Sequence, residues 1–201
     1  MVSAGGPGLR IGVLALQGDV REHARLLEQL GAVVVPVRRA SELAAIDALV
    51  LPGGESGVMD RLARLTGLRE PLREVIAEGL PVLGTCAGLI LLAEHLLDGA
   101  PGQETLGGLD VTVRRNAFGS QSDSFETDLE VLALGPPAVR TAFIRAPLIE
   151  RIGPRASTLA SLPDGRIVAA EQGRVQGLAF HPEATGESRF HRRLLEQARG
   201  R

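Results

Sequence analysis

The feature that most constrains the fold lies in the first half of the chain, where short apolar runs recur between amphipathic stretches. "RIGVLAL", "AVVVPV", "DALVLPGG" and "LPVLGT" are rich in Val, Leu and Ile and are strand-length rather than helix-length. Runs this continuous leave no polar alternate positions, so both faces of each strand need covering. The covering segments are visible. "GDVREHARLLEQLG" sets Val20, Ala24, Leu27 and Leu30 at helical spacing and stops at Gly31, and "LREPLREVIAEG" is amphipathic and again closes on glycine. Strands alternating with helices imply a parallel sheet with helices on both faces.

The second half changes character. "LDVTVRRN", "SFETDLEVLAL", "AVRTAFIRAP" and "STLASLPDGRIVAAEQGRVQGLAFHPE" read as short strands joined by Gly and Pro turns, partly antiparallel, and "ESRFHRRLLEQAR" as a closing helix. With no internal repeat and no linker, residues 10–201 read as a single α/β domain with a mixed sheet, and residues 1–9 as a flexible lead-in. A chain of 201 residues is long enough to bury a core of its own.

Composition removes several function classes. Hydrophobic residues at 44% and charged ones at 23% describe a globular chain. A net charge of −2, no Trp, no Tyr and five Phe give neither the basic surface nor the rings that nucleic-acid binding uses. A lone cysteine cannot form an internal disulfide, and no Cys/His cluster has zinc-ligand spacing, so no metal is expected. The longest apolar run, Val82 to Ala93, falls short of the roughly 20 residues that span a bilayer. The first ten residues lack the apolar core of a signal peptide. A cytoplasmic location without a membrane partner is the expectation.

That single cysteine stands in Gly84-Thr85-Cys86-Ala87-Gly88, between the apolar strand "LPVLG" and a run, "LILLAEHLL", that reads as a helix. The arrangement is the thiol counterpart of the nucleophile elbow, in which flanking glycines permit a strained strand-to-helix turn. A following helix aims free N–H groups at the sulfur, which matters because an ordinary thiol is only roughly 3% thiolate at pH 7. The bland alternative is a buried, inert cysteine packing like alanine; the paired glycines and the strand-to-helix position favour the nucleophile.

A cysteine nucleophile needs a base. His23 and His191 lie on helix faces among charged neighbours and are expected to be solvated. His95 follows Cys86 by nine positions on the same expected helix, which turns it away from the thiol. His181 ends the apolar strand "VQGLAF" and begins His181-Pro182-Glu183. Proline biases its predecessor towards extended geometry, in which Glu183 shares a side with His181 and can fix the imidazole tautomer. For the oxyanion of an acyl transfer, the diglycine of "ALVLPGGES" offers a backbone N–H at Gly54, paired with that of Ala87; a tight turn alone would also call for these glycines. The loop "QGDVREH" presents no catalytic residue type at a useful spacing.

"LPGGES", "GTCAG" and "FHPE" in this order resemble the class I glutamine amidotransferases, with a Cys-His-Glu triad. With "LALQGDVREH", "GTCAGLILLA", "RNAFGSQSDSFE" and "AFIRAP" added, the chain is similar, from Leu14 to Glu183, to the glutaminase subunits of pyridoxal phosphate synthases. The resemblance implies a flavodoxin-like three-layer sandwich around a mostly parallel mixed sheet. It implies hydrolysis of L-glutamine to glutamate and ammonia by Cys86, His181 and Glu183, with no metal or organic cofactor. Gly54, Glu55 and Ser56, Arg115, and Ile144 with Arg145 would hold the glutamine; an arginine fork suits its α-carboxylate. The implied partner is a TIM-barrel synthase subunit in a large hetero-oligomer, which uses the ammonia with a pentose phosphate and a triose phosphate and which the "QGDVREH" loop would contact. Ser120 and Ala184 depart from the family pattern, where a basic and a larger residue are usual. A glutaminase serving another synthase, such as that of the histidine pathway, is the nearest rival. A silent regulatory subunit needs no His181 or Glu183, and a thiol redox sensor needs no diglycine loop.

Overall fold

The structure is a computed structural model that describes residues 8–115 and 125–200. The first half runs β1 (Arg10–Leu14), α1 (Val20–Gln29), β2 (Val33–Val37), the single turn α2 (Ala40–Leu43), β3 (Ala48–Leu51), α3 (Ser56–Leu65), α4 (Arg69–Ala77) and β4 (Val82–Thr85). Then come α5 (Ala87–Leu92), β5 (Ala93–Leu97), β6 (Leu109–Arg114), β7 (Phe125–Leu129), β8 (Val139–Phe143) and β9 (Leu148–Ile152). The chain continues through β10 (Ser157–Ser161), β11 (Ile167–Gln172), β12 (Val175–Leu178), α6 (Pro182–Thr185) and α7 (Arg189–Arg199).

The main sheet has the order β2-β1-β3-β4-β12-β11-β9-β6-β5, with β10 beside β11, and β7 pairs with β8 in a separate two-stranded sheet. From β2 to β12 every pairing is parallel, whereas β11 pairs antiparallel with its neighbours. The mixed α/β sheet expected from the sequence is therefore present. Its parallel half is the buried half: Ala48, Leu49, Val50 and Leu51 of β3 have no exposed surface, nor do Val82 and Leu83 of β4. Each such Val or Leu side chain contributes roughly 1.5–3 kcal/mol on leaving water, which is why the apolar runs had to become central strands. Helices α1 and α7 pack on one face of the sheet; α5 packs on β3, β4 and β12 and against α3, which meets α4.

Two expectations about helices need correction. The helix after Cys86 ends at Leu92, and Ala93–Leu97 forms β5, paired in parallel with β6 through Ala93↔Leu109 and His95↔Thr112. Leu, Glu and His tolerate a helix, but here an unpaired sheet edge offers a ladder of backbone hydrogen bonds, and that tertiary contact overrides propensity. His95 is thus an exposed residue of the edge strand, remote from Cys86 for a different reason than helical phase. On α1 the buried face is centred on His23, Leu26 and Leu27, and Val20, Ala24 and Leu30 lie at its margins. The helix α3 was not among the expected elements; Glu55 caps it by accepting the Val58 N–H at 2.9 Å.

Close approach of α5 to the sheet depends on Gly88. A Cβ there would stand 2.0 Å from the Leu51 carbonyl oxygen, a rigid strand atom that cannot move aside. Gly88→Ala is therefore expected to cost about 2 kcal/mol or more and to lower the melting temperature by about 4–8 °C, measured by thermal unfolding of the purified chain.

Candidate active site

Three parallel strands end level. Leu51 of β3 lies in register with Gly84 of β4, and Thr85 of β4 with Leu178 of β12. From these carboxyl ends the chain continues into Gly53-Gly54-Glu55, Cys86, and Phe180-His181. The loop after β1 joins them, with the Asp19 N–H donating to the Gly53 carbonyl at 3.1 Å. Strand order reverses around β1, between β2 and β3, the place where open α/β sheets leave a crevice.

Cys86 sits at the tip of the turn with φ 47° and ψ −99°. A side-chain-bearing residue held there costs on the order of 1–3 kcal/mol. Its N–H donates to the Leu178 carbonyl at 2.8 Å and its carbonyl accepts from Ile90 at 3.2 Å, so the turn is tied to β12 on one side and α5 on the other. His181 is fixed through its own N–H, which donates to the Ala142 carbonyl of β8 at 3.0 Å. Pro182 opens α6, a position where a missing N–H costs nothing. Glu183 therefore reaches the imidazole by a helical turn, not by the extended geometry expected from the proline.

His181 Nδ1–H donates to Glu183 Oε1 at 2.7 Å, and the same nitrogen lies 3.4 Å from Asp19 Oδ2. Cys86 lines the same cleft as His181; with Nδ1 committed to carboxylates, Nε2 is the nitrogen left to face the thiol. Burial disfavours the imidazolium, but the neighbouring Asp19, Cys86 and Glu183 outweigh it, and the His181 pKa is pushed up to about 12. Asp19 was missed by sequence reasoning. It occupies the N-cap position of α1 without capping it, and the neighbouring His181 ring holds its carboxyl below its usual pKa. The side-chain oxygens and nitrogen of Asp19, His181 and Glu183 lie within 4.8 Å of one another. A protonated Nδ1 has no lone pair for a cation.

His23 and His191, expected in solvent, are both fully buried. Their Nδ1 and Nε2 atoms are 2.8 Å apart, and His23 Nε2 is 3.1 Å from Thr85 Oγ1. Helical periodicity places a residue on a face, but which face turns inward is settled by tertiary packing, here of α1 and α7 against one another.

Cys86, His181 and Glu183 line a cleft of about 480 Å³ that also receives Gly54, Glu55, Ser56, Arg115, Ile144 and Arg145. Ala87 lies buried in the first turn of α5. Gly53 is required by the imidazole itself, since a Cβ there would meet His181 Cε1 at 2.4 Å. Arg115 is not free: its guanidinium pairs with Glu55 at 2.5 Å and with Gln103 Oε1 at 3.1 Å, and Gln103 Nε2 donates to Ser56 Oγ at 3.0 Å. Gln103, which carried no motif, thus links two of the expected substrate residues, Arg115 and Ser56. Gln17 accepts the Glu55 N–H at 2.7 Å and so fixes the diglycine loop from the β1 side. Ile144 and Arg145 follow β8, the latter at φ 46°. Ala184, one of the departures from the family pattern, lines the cleft, whereas Ser120 and residues 1–7 of the lead-in lie outside the described residues.

Glu183→Gln keeps the shape of the side chain and removes the charge that Nδ1–H faces. His181 is expected to titrate at lower pH in this variant than in the parent, followed by NMR of histidine-labelled protein. An unchanged titration would separate the two residues.

A model of the SNO glutamine amidotransferase family matches residues 13–199. The chain is 60% identical over 198 residues to the pyridoxal 5'-phosphate synthase subunit PdxT of Leifsonia xyli subsp. xyli, covering 98% of this chain and 99% of that one. It is 59% identical to the PdxT subunit of Clavibacter sepedonicus, over 95% of this chain and 91% of the relative. A solved structure described as a glutamine amidotransferase superposes with a TM-score of 0.86 at 46% identity, over 94% of this chain and 98% of that one. Fold, elbow and matched sequence agree: this chain belongs to the SNO glutamine amidotransferase family.

Proposed function

We propose that this chain hydrolyses L-glutamine to L-glutamate and ammonia and passes the ammonia to a synthase subunit that makes pyridoxal phosphate. The observation that carries this reading is the single cleft that Cys86 shares with His181, a ring whose Nδ1 is held by Glu183 at 2.7 Å. The names of the relatives from Leifsonia and Clavibacter support the synthase as the destination.

In the first step the Cys86 thiolate attacks the side-chain amide carbon of glutamine. A C–S bond forms and the carbonyl electron pair moves to oxygen, where the N–H groups of Gly54 and Ala87 stabilise it. Collapse of this intermediate expels the amide nitrogen, which takes a proton from His181 and leaves as ammonia. Water then gives a proton to His181 and attacks the thioester; glutamate departs and the sulfur returns as thiolate. Glu183 keeps Nδ1–H oriented throughout, so the exchanging proton is always on the nitrogen facing the sulfur. At the mouth, Glu55 and Arg115 present a negative and a positive group side by side, matching the ammonium and carboxylate of an α-amino acid; Ser56, Ile144 and Arg145 complete the wall.

Release of ammonia inside a complex requires a docked partner. The loop carrying Gln17 and Asp19 is the element through which docking would reach the chemistry, because it touches both Glu55 and His181. The reading includes a TIM-barrel synthase in a large hetero-oligomer and a cytoplasmic location. Among the described residues no helix is long and apolar enough to cross a membrane.

Cys86→Ala is expected to abolish ammonia release from glutamine, in the presence and absence of the purified synthase subunit, while far-ultraviolet circular dichroism stays unchanged. A diazo-ketone glutamine analogue should label the parent at Cys86 and leave the variant unmodified. Near-normal turnover by the variant would overturn the nucleophile assignment.

A further inference from the structure

Glu183 has a second oxygen that the His181 contact does not use. Oε2 is buried and makes no hydrogen bond of ordinary length, yet it faces His23 Nε2 at 3.5 Å. That nitrogen is also 3.1 Å from Thr85 Oγ1, the residue just before the nucleophile, and on its far side His23 Nδ1 meets His191 Nε2 at 2.8 Å. Glu183, His23 and His191 thus form a continuous buried row running from the cleft into the layer between the sheet, α1 and α7.

The row has two possible proton orders. In one, His23 carries its proton on Nε2, directed at Glu183 Oε2 and Thr85 Oγ1, and its Nδ1 accepts from the Nε2–H of His191. The remaining His191 Nδ1 is then a bare lone pair; among the described residues this nitrogen makes no hydrogen bond of either sense at the lengths found along the rest of the row. In the other, His191 Nδ1–H turns towards the backbone of Glu187, His23 donates from Nδ1, and the lone pair of His23 Nε2 points at a carboxylate oxygen. Two lone pairs facing one another in a buried setting repel, and Oε2 is left without a donor. While Glu183 is charged, the first order is the lower in energy.

We infer that His23, locked by His191 as the tautomer protonated on Nε2, is a positioning residue that holds the second oxygen of Glu183 and thereby aims its carboxylate at His181. Resting on the Cys86–His181–Glu183 reading, this extends the machinery by two side chains that never touch substrate. A carboxylate held at one oxygen turns easily about its last torsion; held at both it cannot. Burial, then His191 and His181, keeps His23 well below the ordinary histidine pKa, and burial takes His191 to about 4, with Glu187 opposing. Both rings are therefore neutral, as the tautomer argument requires. The groups facing Glu183 are His181, with Asp19 and Cys86 behind it, His23 from α1 and Thr85 from β4; Glu187 and His191 close the far end.

The test compares parent, His23→Leu and His23→Gln in complex with the synthase subunit, alongside nitrogen-15 NMR of the histidine rings in the parent chain. Turnover of His23→Leu is expected to fall about 10–100-fold with the KM for glutamine changed less than about threefold. His23→Gln, whose Nε2 can reach the same oxygen, should recover at least about a third of the parent turnover, a rescue that a packing role alone would not predict. The ring spectra should place the proton on Nε2 of both His23 and His191. A Nδ1-protonated His23, a leucine variant within about twofold of parent turnover, or a glutamine variant no better than the leucine one would each overturn the inference. Should the leucine variant not fold, the glutamine variant and the spectra still decide. If the parent complex releases no ammonia from glutamine, the functional reading fails while the tautomer result stands on its own.

Discussion

Everything at the active site hangs on the parallel pairing of β4 with β12. Cys86 and His181 are far apart along the chain, yet the register that sets Thr85 beside Leu178 brings their strand ends level. A single backbone bond, from the Cys86 N–H to the Leu178 carbonyl, closes that register at the turn that carries the thiol. A slip of one residue would turn every side chain of β12 to the opposite face, and the imidazole would follow. Specific fits in the buried strand prevent this: a Cβ at Gly177 would stand 2.6 Å from Leu89 and 2.7 Å from Leu109, and the buried Gln176 donates from Nε2 to Gln197 Oε1 at 3.0 Å.

A row of rings secures the same region from the other side. Phe125 stacks on Phe143 at 4.8 Å between centroids; Phe143 meets Phe180 at 5.6 Å, and Phe180 meets Phe190 at 5.7 Å. The row joins the two-stranded sheet, the end of β12 and the start of α7, and Phe180 immediately precedes His181. Aromatic pairs of this kind add about 0.5–1.5 kcal/mol each beyond their burial, and they do so through stiff two-torsion side chains. The imidazole of His181 is thus held by backbone from β8, by rings beneath it and by carboxylates at one nitrogen. Only its Nε2 edge is left without a partner from that frame.

Much of this could be read from the chain alone. The central strands announce themselves because burial on both faces leaves no polar alternation. The elbow does so because its glycines and lone thiol have few other uses together. What escaped reading shares one cause. His23, His191 and Asp19 look like ordinary residues of polar helix ends, and only the meeting of α1 with α7 and with the loop after β3 gives them partners. Gln103 lies in a turn with no periodicity at all. The strand β5 was hidden because the residues after Leu92 suit a helix equally well, and the decision was made by β6. Local sequence reports propensity; contacts between distant segments assign roles.

Cys86 is one of the few residues other than glycine with a positive φ. Any side chain at that position carries the same backbone penalty, and glycine alone escapes it. Laboratory evolution that rewarded thermal endurance without testing turnover would accordingly drift towards glycine at the turn, discarding the sulfur as it gained robustness. A thiol kept at so costly a turn is what the proposed chemistry at the sulfur would require.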